Sequence, residues 1–221
     1  MNKPTKNGIY GSHLEDFAKK HLPKNNKIYH HKESNKILLN SLKPNNKIFY
    51  FATNERDITK SIQPRIKAYG KLENSGVCNI DKDGNAIAHL KCPQLYMNVQ
   101  EDDKVYSRHL HFVYWDEKTE EWDKNLFTMP ILCDIGKDEL KKYENKVLIL
   151  DVRTPEEYEK KHLKNAINTN TKITEKTLLE LVDNNKLAPI ILYCNKDHTL
   201  CHEVYHKLNK LGFYNTVHYK A

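Results

Sequence analysis

Short apolar runs alternate with amphipathic segments through the C-terminal part of the chain. That alternation restricts the fold more than any other feature of the sequence. Val147-Leu148-Ile149-Leu150 and Pro189-Ile190-Ile191-Leu192-Tyr193 are strand-length and apolar throughout, so neither presents a polar face to water. Helical patterns surround them over Asp138 to Tyr143, Thr174 to Asn184, and from behind Cys194 to about Leu211. In Thr154-Pro155-Glu156-Glu157 a capping threonine is followed by proline at the first helical position and a carboxylate at the third, so another helix runs towards Lys161. Leu178, Leu181 and Val182 share one side of their segment, and Val204, Leu208 and Leu211 share one side of theirs. Gly212 is the expected stop of the last helix. Thr216 to Tyr219 reads as the final strand, Pro130 to Cys133 as the first, and Ala166 to Asn168 as a short extended piece. Strands buried on both faces and separated by helices predict an α/β fold, a parallel sheet with helices on both faces.

Functional sites in such a sheet lie beyond the carboxyl ends of the strands. Cys194 falls there, directly after Tyr193 and a few residues ahead of a helix. Backbone N–H groups and the helix dipole favour an anionic sulfur in that position. Asn195, Lys196, Asp197, His198 and Thr199 form the expected cradle. Lys196 and His198 can lower the thiol pKa or hold an anion. Cys201 follows seven residues after Cys194 and is a candidate resolving thiol. An alternative is a small helix residue packed on the sheet, and the sequence leaves both readings open.

The residues around these strands resemble a known family. Asp151-Val152-Arg153, Glu157, His162-Leu163 and Ala166-Ile167-Asn168 resemble the first block of rhodanese-like domains. Tyr193-Cys194 and, after the helix, Leu211-Gly212-Phe213-Tyr214-Asn215 resemble the second. The likeness covers about residues 128–221. It implies a rhodanese-like sulfurtransferase that carries sulfane sulfur as a persulfide on Cys194. It also implies a small sulfur donor, a thiol acceptor and no cofactor. Asp151, Arg153 and His162 are then supporting residues that fix loop geometry rather than an acid/base set. The chain departs from the family pattern in several places. Lys161 and Asn165 stand where glycines are usual, Asp197 stands near a third, and no arginine closes the loop. The loop has the longer form of cell-cycle dual-specificity phosphatases, but Leu200 occupies the place of their phosphate-clamping arginine. Leucine offers no bidentate fork for phosphate, so phosphatase activity ranks below sulfur transfer. The main alternative is a rhodanese-like binding or regulatory module without turnover.

Before this region no family is recognised. Residues 1–125 read as a small α+β or β-rich domain of unknown function, and 128–221 as the rhodanese-like one. Ser12 can cap a helix over His13–Leu22, ended by Pro23. Lys36 to Leu42 is apolar enough to pack, and Lys47 to Phe51 is a strand by its aromatic content. Gly76 to Ile80 and Ala86 to Leu90 flank Asp81-Lys82-Asp83-Gly84-Asn85, a good hairpin turn. The turn lacks the third oxygen ligand and terminal glutamate of a calcium loop. Lys104 to Trp115 reads as one further strand. His109 and His111 then share a face, while Cys78 and Cys92 bracket the hairpin. Four such ligands can make a zinc site, but the spacing matches no compact zinc motif, so no metal is expected.

The net charge of +7 comes from lysine spread along all 221 residues, without a basic block interleaved with aromatics. This argues against a nucleic-acid partner. A protein partner could use the N-terminal domain. The five cysteines fit no compact disulfide framework, and no window approaches the roughly twenty apolar residues of a membrane span. The N-terminus lacks the apolar core of a signal peptide. The reading is a two-domain cytoplasmic protein with no membrane partner and with thiols reduced unless used for chemistry.

Overall fold

The computed structural model describes residues 5–6, 18, 20–30, 35–99, 103–194 and 199–220. They fall into two compact units. The first comprises Met1–Arg56, Ile62–Lys104 and Arg108–Ile131; the second comprises Asp57–Ser61, Val105–Ser107 and Leu132–Ala221. Among the described residues no helix is long and apolar enough to cross a membrane.

The first unit is β-rich. Its elements are β1 (Thr5–Lys6), β2 (Asn35–Leu39), β3 (Lys47–Ala52), β4 (Gln63–Pro64), α1 (Arg65–Tyr69), β5 (Ser75–Asn79), β6 (Ala86–Leu90) and β7 (Tyr96–Asn98). They continue with β9 (His109–Asp116), β10 (Glu121–Trp122) and β11 (Phe127–Pro130); β8 (Lys104–Tyr106) has its first residue in this unit and Val105 and Tyr106 in the second. The main sheet has the order β1-β11-β9-β3-β5, and β10 also pairs with β9. Its core strand β3 contributes Ile48, Phe49, Tyr50, Phe51 and Ala52, all essentially buried on both faces. Aromatic and β-branched side chains from Ile48 to Phe51 explain why this segment takes the interior of the sheet.

Three local expectations are corrected. The turn at 81–85 forms, with the Asp81 carboxylate accepting from the N–H groups of Asp83 and Asn85 at 2.9 and 2.8 Å. Its flanking strands do not pair with each other, however: β5 pairs with β3 and β6 with β2. The stretch from Lys104 to Trp115 breaks at Ser107 and Arg108 into β8 and β9. Residues 130–133 are not the first strand of the C-terminal sheet. Pro130 ends β11, and the first parallel strand is Asp134–Ile135. The helix expected over His13–Leu22 lies largely outside the described residues.

His109 and His111 do share a face of β9, and both are buried. Tyr69 of α1 sets its hydroxyl 3.2 Å from His109 Nε2 and 3.0 Å from His111 Nε2. Thr128 Oγ1 lies 2.8 Å from His111 Nδ1. Burial, and then the neighbouring His109, hold His111 well below the ordinary histidine range, so its ring is neutral in the folded chain.

The second unit is built on a five-stranded sheet. Its strands are β12 (Asp134–Ile135), β13 (Leu148–Asp151), β14 (Ala166–Asn168), β15 (Ile190–Tyr193) and β16 (Thr216–Tyr219). They are ordered β12-β16-β15-β13-β14, and every pairing is parallel. The helices are α2 (Lys137–Tyr143), α3 (Pro155–Lys160), α4 (Glu175–Leu181) and α5 (Thr199–Lys210). Each begins or ends as its sequence requires. Thr154 Oγ1 accepts from Glu157 N–H while the Glu157 carboxylate accepts from Thr154 N–H. Gly212 adopts φ +90°, and Phe213 N–H reaches back to Leu208 O at 2.9 Å, closing α5 in a left-handed cap. Leu178 and Val182 of the α4 region join Val204 and Leu208 of α5 against Leu150, Ile190 and Leu192 of the sheet. Each such side chain contributes about 1.5–3 kcal/mol on burial, which makes this layer the main stabilising feature of the unit. The segment Asp57–Ser61 is tied to the same unit: Lys142 pairs with Asp57 at 2.7 Å, and Asn215 Nδ2 donates to Ile58 O at 2.9 Å.

The neutral His111 makes stability pH-dependent. Above about pH 6.5 the ring is uncharged in both states and contributes no slope. As pH falls below that value the unfolded chain takes a proton that the folded chain refuses. Stability then drops by up to about 1.4 kcal/mol per pH unit from this residue. Urea unfolding followed between pH 7.5 and 5 should show this decline, and His111→Gln should remove its share of the slope.

Candidate active site

Strand parity decides what meets Cys194. In the parallel pair β15–β16, Leu192 is in register with His218. Side chains two apart on a strand share a face, so Cys194, just past the end of β15, faces the same way as Leu192 and His218. The sulfur of Cys194 lies 3.6 Å from His218 Nε2. On the far side of that ring, His218 Nδ1 lies 2.8 Å from Asp134 Oδ1. Asp134 is placed by the pairing of β12 with β16, in which it is in register with His218. An ionised carboxylate only accepts hydrogen bonds, so the neutral imidazole carries its proton on Nδ1 and turns the Nε2 lone pair towards the sulfur.

Cys201 sits in the first turn of α5 and is 1% exposed; Cys194 is 8% exposed. Their Cα atoms are 5.9 Å apart, and the two sulfurs are paired as a disulfide. The separation lies in the range that a bridge needs. Reduced, the same arrangement is a dithiol at the N-terminal end of a twelve-residue helix, where the dipole favours thiolate. A thiolate beside a proton-accepting imidazole, with a second sulfur in bonding reach, can act as a nucleophile and can close or open a disulfide.

With this geometry in view, residues 136–221 match the family model of the rhodanese-like domain. This part of the chain is a rhodanese-like domain. The match stops short of the first unit, which has no family match. Among curated proteins no relative matches the chain.

The rhodanese-like domain distributes the residues read from the sequence unevenly. Cys194 and Cys201 come together at the carboxyl end of β15. Thr199 opens α5. Asn195, Lys196, Asp197 and His198 lie outside the described residues. Asp151, in register with Tyr193, points to the opposite face of the sheet from Cys194. It is wholly buried, and Arg153 holds it through Nε at 2.9 Å and Nη2 at 2.5 Å. Arg153 also donates to Lys161 O at 2.7 Å and lies over the Tyr193 ring, 4.5 Å from its centre. This pair ties the strand ends and the turn before β14 together rather than handling protons at the sulfur. His162 stacks on Tyr158, with ring centres 4.1 Å apart, and lies on the exposed side of α3. Asn165, at a usual glycine position, takes φ +61°, a conformation that asparagine tolerates.

The four ligands weighed for zinc do not converge as a set: His109 and His111 meet, with Nε2 atoms 3.1 Å apart, but Cys92, like Cys133, is disulfide-bonded rather than the reduced thiol expected. Cys78 on β5 and His111 on β9 are separated by β3, two strand spacings or about 10 Å. Among the described residues the group of three or more His, Cys, Asp or Glu residues whose ligand atoms all lie within 4.8 Å of one another is Cys194, Cys201 and His218. His218 and Asp134 are the functional candidates that sequence reasoning missed. His218 lies within the last strand and Asp134 within the first, and no local motif links them. The one available signal was parity: a buried histidine on the face of the strand neighbouring a strand-end cysteine.

Cys78 has a different character. It is a free thiol, 4% exposed, and burial pushes its pKa up to about 12. It stays protonated at neutral pH and is no nucleophile. Iodoacetamide applied to the native, reduced protein should leave Cys78 unmodified by peptide mass mapping while Cys194 reacts. In denaturant Cys78 should react as well.

Proposed function

We propose that the rhodanese-like domain is a sulfurtransferase that carries sulfane sulfur on Cys194. The observation that carries this reading is the meeting of Cys194 with Cys201 and the His218–Asp134 pair at the carboxyl end of β15. The match of residues 136–221 to the rhodanese-like family supports it. In the first step the Cys194 thiolate attacks the outer sulfur of a donor such as thiosulfate. The sulfur–sulfur bond of the donor breaks, sulfite leaves with the electron pair, and Cys194 becomes a persulfide. His218 accepts the thiol proton beforehand, and Asp134 holds the ring in the tautomer that can do so.

Discharge has two routes in this geometry. An external thiol takes the outer sulfur and restores the Cys194 thiolate. Alternatively, Cys201 attacks Cys194 Sγ, expels hydrosulfide and forms the Cys194–Cys201 disulfide. The second route couples sulfur release to a disulfide that an external dithiol must reduce before the next cycle. It accounts for a second buried sulfur within bonding distance.

The test is intact-mass analysis of the reduced protein after incubation with thiosulfate. The expected product is one added sulfur, about 32 Da, that Cys194→Ser lacks and that Cys201→Ser retains for longer than the parent. No added sulfur with any thiosulfate or persulfide donor would refute the reading and leave a rhodanese-like binding module.

A further inference from the structure

We infer that the reduced form of this site binds a single Zn²⁺ ion through Cys194 Sγ, Cys201 Sγ and His218 Nε2. Those three atoms all lie within 4.8 Å of one another. With zinc–sulfur bonds of about 2.3 Å and a zinc–nitrogen bond of about 2.05 Å, a tetrahedral ion sets its sulfur and nitrogen ligands about 3.5 Å apart. Cys194 Sγ and His218 Nε2 are 3.6 Å apart before any movement. Two thiolate ligands on one tetrahedral zinc are about 3.8 Å apart. The two sulfurs reach that spacing by side-chain rotation once the disulfide is reduced, because the Cα atoms are 5.9 Å apart and need not move.

The surroundings favour a metal as well as the ligand atoms do. A zinc-bound histidine characteristically donates its second N–H to a carboxylate, which fixes the ring and strengthens the ligand. Asp134 fills that position at 2.8 Å from His218 Nδ1. Its side chain is 42% exposed and stays on the solvent side, away from the sulfurs. Two thiolates neutralise the charge of the ion, so a nearly buried site holds no net charge from metal and ligands together. Two soft sulfurs and one imidazole select zinc over magnesium or calcium, which prefer oxygen ligands. Three protein ligands leave the fourth position for water or for a soft anion such as hydrosulfide.

Zinc and sulfane sulfur then compete for the same thiolate. Oxidation releases the metal: the zinc dithiolate reacts with one low-molecular-weight disulfide and two protons, giving the Cys194–Cys201 disulfide, two small thiols and free Zn²⁺. The inference shares its cysteine with the proposed sulfur transfer but does not rest on that activity.

The experiment uses the full chain, reduced and stripped of metal, and titrates it with Co²⁺ as a spectroscopic stand-in. One equivalent should produce tetrahedral visible bands and a near-ultraviolet sulfur-to-cobalt transition, both abolished by stoichiometric Zn²⁺. Cys201→Ser should lose most of the sulfur-to-cobalt intensity. Asp134→Asn should keep the spectrum and weaken Zn²⁺ binding by about 10- to 100-fold. Adding oxidised glutathione to the zinc form should release one Zn²⁺ per Cys194–Cys201 disulfide formed, counted by peptide mass mapping. Reduced parent protein that binds neither ion, or a cobalt spectrum unchanged by Cys201→Ser, would overturn the inference. Sulfur loading from thiosulfate, measured in parallel with a chelator present, keeps the two questions apart. Loading without zinc binding defeats only the metal site, and zinc binding without loading defeats only the transferase.

Discussion

The parallel register of Ile190–Tyr193 against Thr216–Tyr219 fixes what surrounds Cys194. It sets Leu192 opposite His218, and so places the next residue on that face, Cys194, within 3.6 Å of the imidazole. A slip of one residue would turn His218 to the other face of the sheet and leave the sulfur against an apolar neighbour. The pairing of Asp134–Ile135 on the outer side of the same strand then supplies the carboxylate. Two ladders of main-chain hydrogen bonds therefore position three side chains that are far apart in the chain.

The layer beneath the site explains why this register holds. Leu150, Ile190 and Leu192 are wholly buried against Leu178, Val204 and Leu208. Moving any of these strands by one residue would exchange that set for the residues of the opposite face. The same layer places the first turn of α5, and with it Cys201, over the end of β15. Packing and the geometry of the candidate site are thus one constraint here. The sulfur pair has a defined geometry because its helix is held by apolar contacts further along.

The opposite face shows a second way of holding loops. Asp151 is buried and ionically paired with Arg153, whose guanidinium also meets the Lys161 carbonyl and the Tyr193 ring. A charged pair buried without further partners would be costly, and the added hydrogen bonds and ring contact offset that desolvation. In the first unit the buried His109, His111 and Tyr69 satisfy one another in a similar way, with burial holding His111 neutral. Histidines whose shared strand face admitted a zinc reading are there a hydrogen-bonded part of the core.

The alternation of apolar strands and capped helices was legible in the residues themselves. Period, caps and breakers act over a few positions, so the threonine cap at 154, the glycine stop at 212 and the strand before Cys194 could all be read directly. The rhodanese-like likeness was legible for the same reason, since its blocks are short and contiguous. Strand pairing was not legible, because it depends on which distant segment lies alongside. Hence the turn at Asp81–Asn85 was read correctly while the partners of its flanking strands were not. Nor could spacing show that Asp57–Ser61 packs with the C-terminal unit through Lys142 and Asn215. The strand-end position of Cys194 followed from local order along the chain. The histidine and aspartate beside it came only from lateral hydrogen bonding between strands, which joins positions 84 residues apart and leaves no periodic trace in the sequence.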